Sequence, residues 1–124
     1  MEMFNKPAVQ AFIHYSTKRS FGPKQNILNA GDEPRALYLI LEGSVSVLTQ
    51  ENGREMVLAY LNPGEFFGEM CLFPEQKTRS AIIRTRTPIL VAEVELETFR
   101  EFVRREPEIM YEVAGQLAAR LRDT

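Results

Sequence analysis

The chain has 124 residues, of which 44% are hydrophobic and 26% are charged, and its formal net charge at pH 7 is -2. A chain of this length can form one compact domain but leaves little room for a second. The slightly acidic balance argues against a surface whose main task is to bind nucleic acid, because phosphate binding requires a clustered basic excess.

The apolar runs are too short for membrane insertion. The longest, ALYLIL at 36–41, is far shorter than a transmembrane helix, and the N-terminal MEMFNKPAVQ lacks an apolar core of signal-peptide length. We therefore expect a cytoplasmic chain without membrane contacts. His14 and Cys71 are the single histidine and the single cysteine, so the sequence predicts neither a disulfide nor a metal centre. We expect a buried thiol at Cys71 and a structural or surface side chain at His14.

The first part of the chain predicts one helix and then several strands. Pro7 followed by AVQAFIHY indicates a short helix with proline in its first turn. Between Ser16 and Val94, short β-branched or aromatic runs alternate with turn signals, which is typical of an antiparallel sandwich or barrel. The clearest runs are ALYLIL, SVSVLT, EMVLAY, SAIIRT and ILVAEV. In SVSVLT, Val45 and Val47 alternate with serines, which predicts one dry and one wet face.

Two helices are predicted after Val94. ELETFREFVRRE places Leu96, Phe99 and Val103 on one face and ends before Pro107. The final PEIMYEVAGQLAARLRDT has a coiled-coil-like seam of barely two heptads, formed by Met110, Ala114, Leu117 and Leu121. A second apolar row, formed by Ile109 and Val113, is suited to packing back on the β-domain. Periodicity alone leaves equally open that all these residues cover the core.

The stretch GEMCLFPEQKTRSA at 68–81 combines residue types that suit an anion. It follows NPGEFF, which is read as a turn, and precedes the strand RSAIIRT, so we expect a crossing with a short helix that starts near Gly68. Backbone N–H groups at a helix start can bind an anion, and Arg79 and Ser80 add a donor fork and a hydroxyl. Glu69 fits there if it accepts hydrogen bonds from a ribose attached to the phosphate. The alternative is a simple helix start with Arg79 as a surface ion-pair partner.

The same stretch resembles the phosphate-binding cassette of cyclic-nucleotide-binding domains, including the ten-residue interval from Glu69 to Arg79. The resemblance runs from AGDEPRALYLILEGSVSVLTQENGREMVLAYLNPGEFFGEMCLF to AEVELETFREFVRREPEIMYEVAGQLAARL and covers nearly the whole chain. It is strongest to bacterial transcription regulators of the cyclic AMP receptor protein family. It implies a mainly β fold with flanking α, an antiparallel β-roll or jelly roll (double-stranded β-helix). A short N-terminal helix and C-terminal helices would flank the roll, the last being a dimerisation helix.

The resemblance also implies a set of ligand-binding residues. In the family, the backbone and glutamate of the cassette hold the phosphate and ribose, an arginine pairs with the cyclic phosphate, and a serine hydrogen-bonds to it. The matching cassette positions here are Phe67, Gly68, Glu69, Met70, Arg79, Ser80 and Ala81. Val47 and Leu58 resemble the apolar walls of the pocket, although either is equally suited to the ordinary core. Thr124 resembles a threonine that reaches the adenine, and Arg120 precedes it at a matching interval.

The implied function is that of a cyclic-nucleotide sensor, with cyclic AMP as the expected effector and without a cofactor, metal or catalytic residue. The expected domain spans 1–124, and 107–124 form the start of the helix through which a homodimer is expected. The segment LAARLRDT lacks a C-cap signal, and regulators of this family continue into a winged helix-turn-helix domain. We therefore expect a sensor fragment whose parent binds DNA through a domain absent from this sequence. The ligand is expected to connect the β-roll to the long helix and, in the parent protein, to reorient the DNA-binding domains.

Four alternatives compete with this expectation, and the residues support them unequally. Cys71 in the cassette and Pro74 in the loop depart from the family pattern, which leaves cyclic di-GMP and cyclic GMP as other effectors. A regulatory domain of a kinase or channel would share the cassette. A β-barrel enzyme or metal-binding cupin would need a cluster of ligands, which one histidine cannot supply. A haem or iron–sulfur sensor of this fold would need ligands that His14 and Cys71 do not obviously provide.

Overall fold

Two four-stranded antiparallel sheets form the body of the domain. The computed structural model describes residues 1–33, 35–72 and 81–122. Its strands are β1 (Thr17–Phe21), β2 (Asn26–Leu28), β3 (Ala36–Glu42), β4 (Val45–Glu51), β5 (Arg54–Leu61), β6 (Phe66–Phe67), β7 (Ala81–Thr85) and β8 (Ile89–Glu95). One sheet has the order β1-β8-β3-β6 and the other has the order β2-β7-β4-β5. This architecture confirms the predicted antiparallel β-roll.

Helices flank the strands at both ends of the described chain. They are α1 (Pro7–Tyr15), α2 (Leu96–Arg105) and α3 (Glu108–Arg122), with 3-10 helices at Glu2–Asn5 and Glu69–Leu72. Pro7 lies at the start of α1, where its missing N–H costs nothing. Pro107 separates α2 from α3, as its ring predicts. Within the described ranges, none of the helices is both long and apolar enough to cross a bilayer.

Strand β3 is buried on both faces and divides the interior into two clusters. Leu37 and Leu39 face a cluster that α1, α2 and α3 cover, whereas Tyr38 and Ile40 face a second cluster between the sheets. Alternate side chains of a strand point to opposite faces. A strand covered on both faces reads as a continuous apolar run rather than an alternating one, which explains ALYLIL.

Three strands, β1, β2 and β6, lie outside the five apolar runs quoted from the sequence, and each is short or polar. β1 has the sequence TKRSF and is exposed along most of its length, so it carries little hydrophobic signal. β6 lies inside the predicted turn NPGEFF, and that prediction is wrong for Phe66 and Phe67. These two residues pair with Leu39 and Tyr38 of β3, because tertiary pairing here overrides a local turn signal.

The alternation predicted for SVSVLT is only partly correct. Val45 is fully buried, as expected, and Val47 is half-buried against the cluster between the sheets. Ser44, however, is also buried. Its hydroxyl donates to the Leu61 carbonyl at 3.1 Å, which satisfies a polar group in a dry position. The predicted wet face is therefore wrong at Ser44.

The two predicted rows of α3 have different environments. Ile109 and Val113 are 0% and 2% exposed and pack in the helix-covered cluster, which confirms that one row packs back on the β-domain. Leu121 is 78% exposed and Met110 is 37% exposed. The alternative in which every apolar residue of α3 covers the core is therefore wrong. The buried Cys71 and the exposed His14 on α1 agree with the environments predicted for them.

The sheet that contains β5 is braced on its surface by one arginine. Arg84 on β7 donates from both Nη atoms to the two carboxylate oxygens of Glu55 on β5, each at 2.7 Å, across the intervening β4. Its Nε also donates to Asn26 Oδ1 on β2 at 2.7 Å. One side chain thus connects β7 with both edge strands of this sheet. Hydrogen bonding from Arg84 lowers the pKa of Glu55, against a smaller opposing effect of desolvation.

Replacing Glu55 with glutamine should lower stability at neutral pH but not in acid. Because the pKa of Glu55 is lower in the folded chain, the stabilisation is fully present above the unfolded pKa. It is lost as the pH falls through the folded pKa. Urea denaturation of wild type and Glu55→Gln at several pH values should give a difference that vanishes in acid. Glu97→Gln is the control, because in the described part of the chain Glu97 pairs only with Arg100, on the exposed face of the same helix. A pH-independent difference for Glu55→Gln would contradict the pairing.

Candidate functional site

The turn at Gly68 is formed by close packing against β3. Gly68 has φ +83°, and a Cβ built on it would lie 2.7 Å from the Ala36 carbonyl oxygen and 3.0 Å from the Tyr38 ring. Directly before it, the Phe67 ring stacks on Tyr38, with centroids 4.8 Å apart. The close approach that glycine permits at position 68 is, in the described structure, an approach to β3. Only glycine fits this position without strain.

Glu69 and Met70 begin the 3-10 helix that follows Gly68. The Cys71 N–H donates to the Gly68 carbonyl at 3.2 Å, and the buried Cys71 thiol anchors the helix in the core. The first N–H groups of a helix have no partner within it, so this turn presents donors at its start. The helix predicted near Gly68 is confirmed, as a single 3-10 turn.

Arg120 on α3 lies against the cassette. Its Nη1 is 3.5 Å from Glu69 Oε1, and the two side chains are 29% and 21% exposed. Its Nη2 also donates to the Phe66 carbonyl of β6. The structure therefore brings together two of the predicted ligand residues, one from the cassette and one from the long helix. They form a half-buried ion pair, which water screens less than an exposed pair.

Gln116 on α3 makes polar contacts with the backbone near β6 that the sequence did not indicate. Its Oε1 accepts a hydrogen bond from the Phe66 N–H at 2.8 Å, and its Nε2 donates to the Gly64 carbonyl at 2.7 Å. A glutamine in a surface helix carries no recognisable signal of this kind. Its spacing of one turn from Arg120 was the only available sign that the two share a face.

An open cavity borders the cassette on the β3 side. It has a volume of about 470 Å³ and is lined, among the described residues, by Leu28, Gly31, Asp32, Glu33, Arg35, Ala36 and Tyr38. Ala36 and Tyr38 are also the residues nearest to Gly68. The volume is within the range of small-molecule sites. Two carboxylates and one guanidinium do not by themselves favour a phosphate, so an anion here would depend on the cassette.

The remaining predicted residues are only partly placed. Arg79, Ser80 and Thr124 lie outside the described residues, and Ala81 is the first residue of β7. Val47 packs against the same cluster as Phe67. Leu58 is 59% exposed and lies on β5 where the pairing with β4 shifts register. The ligand roles of all these residues stay predictions.

The chain matches the family model described as cyclic nucleotide-binding domain over residues 18–106. It is 37% identical over 119 residues to the cAMP-activated global transcriptional regulator CRP of Pasteurella multocida (strain Pm70). That match covers 95% of this chain and 57% of the relative, so the chain spans little more than half the length of that regulator.

Two solved structures share the fold closely. The c-di-GMP responsive global regulator CLP of Xanthomonas campestris is 36% identical with a TM-score of 0.86, covering 94% of this chain and 59% of that one. The catabolite activator protein of Thermus thermophilus is 32% identical with a TM-score of 0.84, covering 99% of this chain and 59% of that one.

The two-sheet roll with α3 laid against it is the fold of these two transcription regulators. The chain belongs to the cyclic-nucleotide-binding domain family. Within that family it resembles transcription regulators of the cyclic AMP receptor protein and catabolite activator protein group, as the sequence predicted.

Substituting alanine for Gly68 tests whether packing against β3 fixes the turn. Gly53→Ala is the matched control, because Gly53 also has a positive φ of +76° but nothing within 4 Å of a built Cβ. Both changes strain the backbone by about 1–2 kcal/mol. Gly68→Ala should lower the free energy of unfolding by at least about 1 kcal/mol more, because its Cβ overlaps β3. Equal losses in chemical denaturation would show that the contact with β3 does not constrain Gly68.

Proposed function

We propose that this chain is the cyclic-nucleotide sensor domain of a bacterial transcription regulator and that its effector is cyclic AMP. The observation that carries the proposal is the meeting of Glu69, at the start of the cassette, with Arg120 of α3 at 3.5 Å. The family match and the name of the Pasteurella relative support the choice of ligand. We assign the domain no catalytic role and place it in the cytoplasm.

The proposed ligand is held by backbone and side chains with separate tasks. The N–H groups that follow Gly68 donate to the cyclic phosphate, and Arg79 supplies the paired positive charge. Ser80 adds a hydroxyl donor, and the Glu69 carboxylate accepts from the ribose hydroxyl. Val47 and Leu58 line the pocket, and Thr124 reaches the base.

The ligand acts as an effector by changing the partner of Arg120. A separation of 3.5 Å between Arg120 Nη1 and Glu69 Oε1 is long for a charge-assisted hydrogen bond. A ribose hydroxyl that shares the Glu69 carboxylate would therefore alter how Arg120 ties α3 to the cassette. The ligand shifts the position of α3 only to the extent that it binds one arrangement more tightly than the other.

Cyclic di-GMP is the second candidate effector. The specific support is the Xanthomonas regulator CLP, described as c-di-GMP responsive, which is 36% identical over most of this chain. Cyclic AMP takes precedence because the cassette carries both a ribose-binding carboxylate, Glu69, and a single phosphate-binding arginine, Arg79. That pair suits one ribose and one cyclic phosphate.

The Pasteurella regulator extends well beyond the matched region. We therefore propose that DNA binding by the whole protein belongs to a part of the molecule other than this nucleotide-binding domain. The domain signals through the position of α3, and the DNA-binding part of the protein responds to that position.

Calorimetric titration of cyclic AMP, cyclic GMP and cyclic di-GMP tests the ligand assignment. Wild type should bind cyclic AMP most tightly, and Arg79→Ala should weaken binding about 10- to 100-fold, because a charged hydrogen-bond partner of the phosphate is lost. Arg100→Ala is the control, since Arg100 is exposed on α2 and pairs only with Glu97 in the described structure. Wild type that binds none of the three rejects the function, and unchanged binding by Arg79→Ala rejects the cassette as the site.

A homodimer through α3 is the second part of the proposal. The seam of Met110, Ala114, Leu117 and Leu121 keeps an exposed edge after Ile109 and Val113 are buried against the domain. Leu117 also packs against the helix-covered cluster, whereas Met110, Ala114 and Leu121 are exposed. Exposed apolar residues in this coiled-coil spacing suit a parallel or antiparallel helix of a second copy.

Sedimentation equilibrium over a concentration series tests the dimer, with and without cyclic AMP. Wild type should self-associate, and the double variant Ala114→Lys with Leu121→Lys should stay monomeric, because it places charge in an apolar seam. Gly115→Lys is the control: it adds one positive charge to α3, half that of the double variant, at a position where nothing lies within 4 Å of a built Cβ. A wild type that stays monomeric, or a control that dissociates equally, would contradict the proposed seam.

A further inference from the structure

Among the described strands, β6 has a neighbour on only one of its edges, which is β3. On that edge the Ile40 N–H donates to the Glu65 carbonyl at 3.0 Å, and the Gly64 N–H donates to the Ile40 carbonyl at 2.9 Å. The opposite edge of β6 carries the Phe66 N–H and carbonyl, because backbone groups of successive residues point to alternate edges. Side chains of α3 occupy that edge in place of a strand.

The Gln116 amide completes this edge as a neighbouring peptide would. It accepts from the Phe66 N–H at 2.8 Å and donates to the Gly64 carbonyl at 2.7 Å. The two contacts also settle the orientation of the amide, because an N–H needs the oxygen and a carbonyl needs the nitrogen. Phe66 and Gly64 are buried, and buried backbone groups require partners.

The neighbours of Gln116 on the same helix face serve different parts of the domain. One turn earlier, Glu112 pairs with Lys6 of the N-terminal segment at 2.7 Å. One turn later, Arg120 contacts Glu69 and the Phe66 carbonyl. Gln116 lies between them and bonds to the backbone that leads into the cassette. Its Oε1 also accepts a hydrogen bond from Arg120 Nη2 at 3.4 Å.

We propose that Gln116 is the positioning residue that fixes α3 to β6, and so couples the cassette to the helix. For its ligand-dependent part the inference rests on the function proposed above. Arg120 shares Glu69 with the proposed ligand, so its contacts change on binding. The two Gln116 contacts with the Phe66 N–H and the Gly64 carbonyl involve no ligand-binding group. They persist, and any displacement of Gly64–Phe66 therefore moves α3.

Amide hydrogen exchange measured by NMR on the ligand-free chain gives the first test. In Gln116→Met, which keeps the side-chain length but loses both hydrogen bonds, the Phe66 amide should exchange at least about tenfold faster than in wild type. Gln50→Met is the matched control, because Gln50 is exposed on β4, away from α3. Gln116→Asn is the second variant, for use if Gln116→Met folds poorly. It keeps the amide but shortens its reach, so it should also make the Phe66 amide exchange faster than in wild type.

Saturating cyclic AMP gives the second test. In wild type the ligand should slow exchange both in the cassette, at 68–71, and along α3, at 113–120. In Gln116→Met the cassette response should remain and the α3 response should fall by at least about threefold, which loss of general stability would not produce.

The outcomes separate the inference from the proposed function. An unchanged Phe66 amide in both Gln116 variants, or a full α3 response in Gln116→Met, overturns the positioning role. A wild type that binds no cyclic nucleotide rejects the proposed function, and the ligand-free exchange of Phe66 then decides alone whether Gln116 fixes α3 to β6.

Discussion

The burial of β3 on both faces is the constraint on which the domain depends. One face requires the cover of α1, α2 and α3, and the other requires the opposite sheet. A strand covered on one side only would leave a row of large apolar side chains in water, at roughly 1.5–3 kcal/mol for each. The helices are therefore held against the roll by the same strand that forms its interior. This arrangement brings α3 within reach of the cassette.

The cassette is built onto that strand rather than beside it. Gly68 packs against the Ala36 carbonyl, and Phe67 stacks on Tyr38. The geometry of the proposed phosphate turn is thus set by β3 before any ligand binds. Such preorganisation lowers the entropic cost of binding, because the turn does not have to be ordered by the ligand. The part left adjustable is the side-chain contact between Glu69 and Arg120, which lies at the surface of this rigid base.

The predictable parts of the fold are those where one residue type has one structural use. Pro7 and Pro107 mark helix boundaries, and the apolar run of β3 marks a central strand. β6 could not be predicted, because its two residues form a strand only through β3 and α3. In the site, the residue types in the cassette and the interval from Glu69 to Arg79 were enough to suggest a ligand. The role of Gln116 was not predictable, because its partners are backbone atoms about fifty residues away.

The order of strands also bears on how the domain reaches its native state. β8 pairs with β1 and with β3. The sheet with the order β1-β8-β3-β6 therefore cannot form completely until residues 89–95 have left the ribosome. The β4–β5 hairpin, joined at Asn52 and Gly53 with positive φ, needs only local chain and can form much earlier. Until β8 arrives, β3 has only the short β6 beside it among the described strands, and it lacks the cover of α2 and α3. A nascent chain halted before that point exposes its most apolar strand, which is the state that chaperones bind.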